Sequence, residues 1–247
     1  MKDVSDDGSP VKARRQFIER NGLFLAAAAL IRPGWALAKA HPISTAGILA
    51  GPEEPEISPV EDLMREHGVL SRILLIYEEI LARLNRGGNF PVETLAASAG
   101  LVRSFVEDYH ERLEEDHVFP RFEKAGKKTD LVRVLLAQHR AGRSLTERVK
   151  QAADPSFLKK PDGKNRLARD LALFIRMYRP HKAREDTVLF PAFRALLRPE
   201  EFMALGETFE DQEDKLFGQE GFEKVVAEVE QLEQTIGIHE LGRFTPD

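Results

Sequence analysis

The sequence contains no cysteine. Disulfides, thiolate metal sites and a cysteine nucleophile are therefore excluded. It carries no low-complexity tract of the kind that signals wholesale disorder. The apolar run Gly22 to Ile31 is too short to span a bilayer as a stable helix. Basic residues are not in excess, with 36 Lys and Arg against 41 Asp and Glu. That balance argues against a nucleic-acid partner, whose phosphates require a basic face. What remains is a chain of 247 residues, 42% apolar and 31% charged, which fits one sizeable soluble, helix-rich domain and a short appendage. Any metal site must be built from His and carboxylate, a donor set that suits iron, manganese or zinc.

The first forty residues have the form of an address. A basic start at Lys12, Arg14 and Arg15 precedes the apolar run, and Ala36, Ala38 and Ala40 follow it. Arg14-Arg15-Gln16-Phe17-Ile18 resembles a twin-arginine export signal, with Ala13 and Glu19 departing from the usual pattern. The resemblance implies passage of the folded chain through export machinery to the periplasm, with cleavage after Ala38 or Ala40. An uncleaved amphipathic helix is the alternative. Beyond residue 40 the chain holds 29 basic and 37 acidic residues, so the remainder is acidic.

Residues 41–57 lack periodicity and read as a linker. Ser58-Pro59-Val60-Glu61 then has the form of a capped helix start. The apolar spacing predicts a helix to about Arg86, with His67 on the stripe between Leu63 and Leu70. A second helix is expected from Pro91 or Val92 to about Glu123, with a kink or early end at Pro120. A third runs from about Asp130 to Lys150 with His139 on its apolar face. After a loop from Asp154 to Asn165, a fourth runs from about Arg166 to Leu197, bent near Pro180. Two shorter amphipathic helices, about 199–216 and 219–236, are expected to pack outside the main bundle.

The segments His110 to Phe122 (HERLEEDHVFPRF) and His181 to Phe193 (HKAREDTVLFPAF) are near copies. His67 and His139 are 72 residues apart, and His110 and His181 are 71 apart, so residues 58–126 and 130–198 read as two helical hairpins of one design. Two such hairpins pack most simply as an all-α, up-down four-helix bundle with an approximate internal twofold repeat. The chain thus divides into a signal segment (1–40), a linker (41–57), the bundle (58–198) and a C-terminal extension with two short helices (199–247).

Residues four apart on a helix lie on one face, so His110 with Glu114, and His181 with Glu185, point the same way. A lone His on an apolar stripe is ordinarily a hydrogen-bonded core residue, and a lone His-x-x-x-Glu is common on exposed helices. Four inward histidines and two inward carboxylates at matching offsets are another matter. Buried carboxylates are costly unless paired or bound to a cation, and two divalent ions would give all six groups a partner. If Glu114 and Glu185 each bridge two six-coordinate ions and an oxygen bridges as well, about two positions stay open for a small ligand. Glu115 and Asp186 read as solvated or supporting groups. Phe119, Phe122, Phe190 and Phe193 read as core packing that dries the site. His117, seven residues after His110, is a further candidate ligand without a repeat equivalent, since Val188 stands there.

The combined pattern of lone His, His-x-x-x-Glu-Glu with Phe-Pro, lone His, and His-x-x-x-Glu-Asp with Leu-Phe-Pro resembles the hemerythrin-like cation-binding family over residues 58–198. The resemblance implies a non-haem di-iron centre, with manganese or zinc as lesser alternatives, held by His67, His110, Glu114, His139, His181 and Glu185. It also implies binding of oxygen or a related small ligand, or else turnover of peroxide or nitric oxide, or iron storage and delivery. Respiratory members carry a second His on the third helix, four residues from the lone one. Here those positions are Leu135 and Arg143.

Overall fold

The structure is a computed structural model and describes residues 57–246. The export signal and nearly all of the linker lie outside the described residues. Every regular element among the described residues is helical. Helix α1 is Pro59–Asn85. Ser58 Oγ accepts the Glu61 N–H at 3.2 Å, and Glu61 and Asp62 lie at the positive end of the helix dipole. Helix α2 spans 92–125, and Gly126 ends it in the left-handed conformation (φ 62°) that glycine adopts without a Cβ penalty. Helix α3 is Thr129–Ala152. The expected loop contains one helical turn, α4, Pro155–Leu158, because the Asp154 carboxylate accepts the Ser156 and Phe157 N–H groups at 2.6 and 3.2 Å. Helix α5 spans 163–194, and α6 and α7 are Pro199–Phe217 and Gly221–Ile236.

Helices α2 and α5 change pitch where the chemistry-bearing residues sit. Pro120 and Pro191 each lack an amide N–H and crowd the carbonyl four residues earlier. In both helices the preceding turn opens. Phe119 N–H donates to Glu114 O and Phe190 N–H to Glu185 O, each five residues back. Glu114–Val118 and Glu185–Leu189 are therefore π-helical at equivalent places in the two halves. A kink or early end at Pro120 is replaced by this widened turn, and the helix continues to Ala125. Pro180 likewise lies within continuous helical backbone, Gly163–Arg184.

Helix α5 packs along both α1 and α3, and α2 packs against α1 and α3, so the four long helices share one apolar core. Close approach of α3 and α5 depends on Gly142. A Cβ there would overlap the Tyr178 hydroxyl, which donates to Glu111 Oε1 at 2.7 Å. Helices α6 and α7 lie against α1 and α2. Arg72 holds the Glu233 carboxylate with two bonds of 2.9 and 2.6 Å, and the Phe217 ring packs on Phe105 and Tyr109. Among the described residues no helix is long and apolar enough to cross a membrane.

Candidate metal centre

Each of the four long helices delivers one histidine to the middle of the core: His67 from α1, His110 from α2, His139 from α3 and His181 from α5. Glu114 and Glu185 follow one turn after His110 and His181. His139, Glu114 and Glu185 are wholly buried, and the other three histidines are nearly so. The histidines meet in two pairs, His67 with His110 at 4.7 Å between ring centres and His139 with His181 at 5.0 Å.

All four Nε2 atoms are turned toward the two glutamates. His67 Nε2 lies 3.4 Å and His181 Nε2 lies 3.1 Å from Glu185 Oε2. His139 Nε2 lies 3.4 Å and His110 Nε2 lies 3.8 Å from Glu114 Oε2. Each carboxylate thus touches one histidine from each pair. The widened turns place the carbonyls of these same two glutamates under the amides of Phe119 and Phe190.

Every Nδ1 is held from the outside. His67 Nδ1 meets Asp186 Oδ1 at 2.6 Å, and His110 Nδ1 meets Glu66 Oε2 at 2.6 Å. His139 Nδ1 meets Glu115 Oε1 and His181 Nδ1 meets Gln138 Oε1, both at 3.0 Å. The outer groups obey the repeat as well as the inner ones do. Glu115 and Asp186 are equivalent and serve the lone histidines. Glu66 and Gln138 are equivalent, each standing one residue before a lone histidine. A carboxylate or amide oxygen accepts from Nδ1–H, which leaves the Nε2 lone pair directed inward, the arrangement an imidazole ligand needs.

Without a cation this interior holds its charges at a cost. Burial and the nearby Glu185 raise the Glu114 carboxyl above the usual carboxylate range. Burial also opposes ionisation of Glu185, but His181 and His67 outweigh it and hold that carboxyl low. Burial alone would lower His67, yet its bonds to Asp186 and Glu185 push it up to about 9. His139 is likewise pushed up to about 10 by Glu114 and Glu115 against its burial. Burial and the neighbouring His67 drive His110 well below its ordinary value.

The residues fit a pair of cations. Donor atoms of Glu114, His139, His181 and Glu185 lie within 4.8 Å of one another, as do those of His67, His110 and Glu114. The Nε2 atoms of His67, His110 and His139 and all four oxygens of Glu114 and Glu185 are buried without a hydrogen-bond partner of normal geometry. Two sets of imidazole nitrogens sharing two carboxylates could hold two borderline or hard divalent ions. Phe190 stacks on His67 at 5.5 Å and its equivalent Phe119 packs tilted against His139 at 5.4 Å, so the Phe-Pro motif supplies an apolar wall to each half.

His117 lies elsewhere. Its Nε2 stands 3.1 Å from Gln212 Nε2 and its ring packs on Phe209, both on α6. The widened turn takes up an extra residue, which carries His117 off the face that regular helical counting assigns it. Arg143, one of the two positions four residues from His139, joins Glu111 and Glu115, each at 2.8 Å, and so fixes the group that holds His139. Glu66 and Gln138 were not singled out from the sequence. The available signal was the polar residue preceding the lone histidine in both halves.

The hemerythrin HHE cation binding domain model matches residues 58–193. Proteins of Mycobacterium tuberculosis and Mycobacterium bovis, each named only as uncharacterized, are 48% identical over 194 residues, covering 78% of this chain and 76% of theirs. No solved structure matches. With that match covering the two histidine pairs and both shared carboxylates, the chain belongs to the hemerythrin HHE cation-binding family.

Proposed function

We propose that this is a hemerythrin-like non-haem di-iron protein that binds oxygen or a related small ligand at a metal pair in the core of an up-down four-helix bundle. His67 and His110 would hold one ion and His139 and His181 the other, with Glu114 and Glu185 as carboxylate donors within reach of both sets. The observation that supports this most is the double orientation of the histidines. Four of four present Nε2 to the shared carboxylates while Nδ1 is tied to a named acceptor. Iron at such a site supplies reversible one-electron chemistry and exchangeable positions for a small ligand. The chain supplies the rest. Asp186, Glu66, Glu115 and Gln138 orient the imidazoles. Phe119, Phe122, Phe190 and Phe193 keep water from the pair. The proposal extends to export through the N-terminal segment and residence in the periplasm.

Visible spectra of the iron-loaded protein, cycled between anaerobic and aerated buffer, test this function. A band that appears with oxygen and reverses on its removal, without steady-state turnover, is the expected result. Sustained turnover of peroxide or nitric oxide would assign an enzyme instead. Rapid loss of iron to a mild chelator would assign iron delivery.

The orienting groups carry their own prediction. Asp186→Ala removes the acceptor from His67 Nδ1 at a position that is already partly exposed. Loss of such a group weakens metal affinity by about 10–100-fold. Competition with a chelator of known affinity measures it, and unchanged affinity would remove Asp186 from the account.

A further inference from the structure

Charge is segregated along this acidic chain. Residues 129–184, from the start of α3 through most of α5, hold 14 Lys and Arg against 5 Asp and Glu. Residues 199–236, which form α6 and α7, hold 2 Lys and Arg against 12 Asp and Glu. The acidic helices pack on α1 and α2, so they do not cover the basic hairpin. Twelve of its 14 basic side chains are exposed. A uniform scatter of charge would serve solubility equally well, so the separation calls for an anionic partner on one side.

Helices α3 and α5 run antiparallel, joined on their outer side by Arg148 with Asp170 at 3.1 Å and by Gln138 with His181 at 3.0 Å. A groove of about 530 Å³ lies between them, and Leu145, Leu173, Met177, Arg148 and Arg176 are in its lining. Helical spacing extends this face in both directions. Val134 stands one turn before Gln138, and Arg169 and Arg176 flank Leu173 at four and three residues. Arg140 shares a stripe with Ser144 and Arg148. Val134 is 53% exposed and Leu173 43%, so two large apolar side chains stand in water among the arginines. Arg148 is tied to Asp170, but Arg140, Arg169 and Arg176 enter no ion pair among the described residues.

We propose that the outer face of α3 and α5 docks the protein on an anionic phospholipid surface. Guanidinium groups pair with lipid phosphates in two-bond geometry, while their apolar stems lie on the same ground as Val134 and Leu173. A bilayer interface takes up both kinds of group. A nucleic-acid backbone would satisfy the arginines but leave the two apolar side chains against water. No helix among the described residues is fit to cross the membrane, so the attachment is peripheral. The acidic extension is repelled by the same surface and faces away from it, which fixes the orientation of the bundle. The face contains none of the six inner histidines and glutamates, so the proposal is independent of what fills the core.

Co-sedimentation of the full chain with vesicles of equal parts phosphatidylglycerol and phosphatidylcholine, against vesicles of phosphatidylcholine alone, tests the proposal. The parent protein binds the anionic vesicles in preference, and added salt releases it. The triple variant Arg140→Gln/Arg169→Gln/Arg176→Gln binds them about 100-fold more weakly, at roughly fivefold per basic residue near an anionic surface. All three side chains are exposed and unpaired, so the fold is kept, and circular dichroism verifies it. The N-terminal segment is the same in both chains, so the difference between them belongs to this face. Val134→Ser/Leu173→Ser weakens vesicle binding several-fold, since both side chains lose their apolar burial; unchanged binding would show a purely electrostatic contact and overturn the lipid assignment. Equal binding of the parent to neutral vesicles, or equal binding of the triple variant to anionic ones, would overturn the proposal. Duplex DNA bound as tightly as the anionic vesicles would overturn it in favour of a nucleic-acid face.

Discussion

Replacing Glu114 and Glu185 together with glutamine reduces the iron retained through gel filtration from two ions per chain to none, while the helical fold persists. Both side chains are wholly buried, and each lies beside one histidine of either pair. Glutamine keeps their volume and an oxygen but removes both negative charges, so neither ion is neutralised and neither residue can join the two halves. The metal-free variant is less stable than the metal-free parent at neutral pH, because His67 and His139 lose glutamate partners that hold their protons. The metal-loaded parent is more stable than either. An ion present at about 100 times its Kd adds ~2.7 kcal/mol, which for a chain of this size raises Tm by roughly 5–10 °C. Circular dichroism and metal analysis on the same samples measure both quantities. Unchanged iron content in the double variant would refute the shared carboxylates.

Lowering pH from 9 to 6 weakens metal binding steeply, and binding at neutral pH releases protons to the buffer. In the metal-free protein His67 and His139, pushed up to about 9 and 10, are imidazolium at neutral pH, and Glu114 is also held above the usual carboxylate range. A metal ion needs all three deprotonated and so must displace those protons. The stability of the metal-free fold runs the opposite way. Histidines with raised folded-state values contribute stability that is fully present below about 6.5 and is lost as pH rises through 9 to 10. Glu114, also raised, acts in the same direction. At the acid end Glu115 is held down at about 2 despite its burial by His139 and Arg143, so its contribution is present above 4.5 and is lost as pH falls toward 2. Hence the Tm difference between metal-loaded and metal-free protein widens from pH 6 to pH 9. Calorimetric titration in buffers of different ionisation enthalpy counts the released protons. A pH-independent affinity would show that these histidines do not receive the ions.

The inner histidines and glutamates could be read from the sequence because helical spacing and repeat offset are one-dimensional quantities. His67, His110, His139 and His181 fall on apolar stripes, and the 71–72-residue offset pairs them. The outer acceptors could not be read that way. Glu66 and Gln138 reach histidines on neighbouring helices, 44 and 43 residues distant in the chain, and nothing in helical periodicity announces a contact across helices. His117 looked like an inner residue because its face was counted at 3.6 residues per turn. The prolines at 120 and 191 change that count by opening the turns before them. The same prolines suggested a kink or helix end, since the sequence shows the missing N–H but not the five-residue bond that compensates. The extension was legible as two amphipathic helices, whereas the insertion of Glu213 beside Asp62 and Glu66 depends on how α6 lies on α1.

Metal analysis of the purified full chain, paired with its visible spectrum under argon and then under air, bears most directly on the central claim. The account predicts two tightly retained iron ions per chain and an absorption band that depends on oxygen. A protein that retains no iron, offers no loading of two ions when reconstituted anaerobically with Fe2+, and shows no oxygen-dependent band would contradict it.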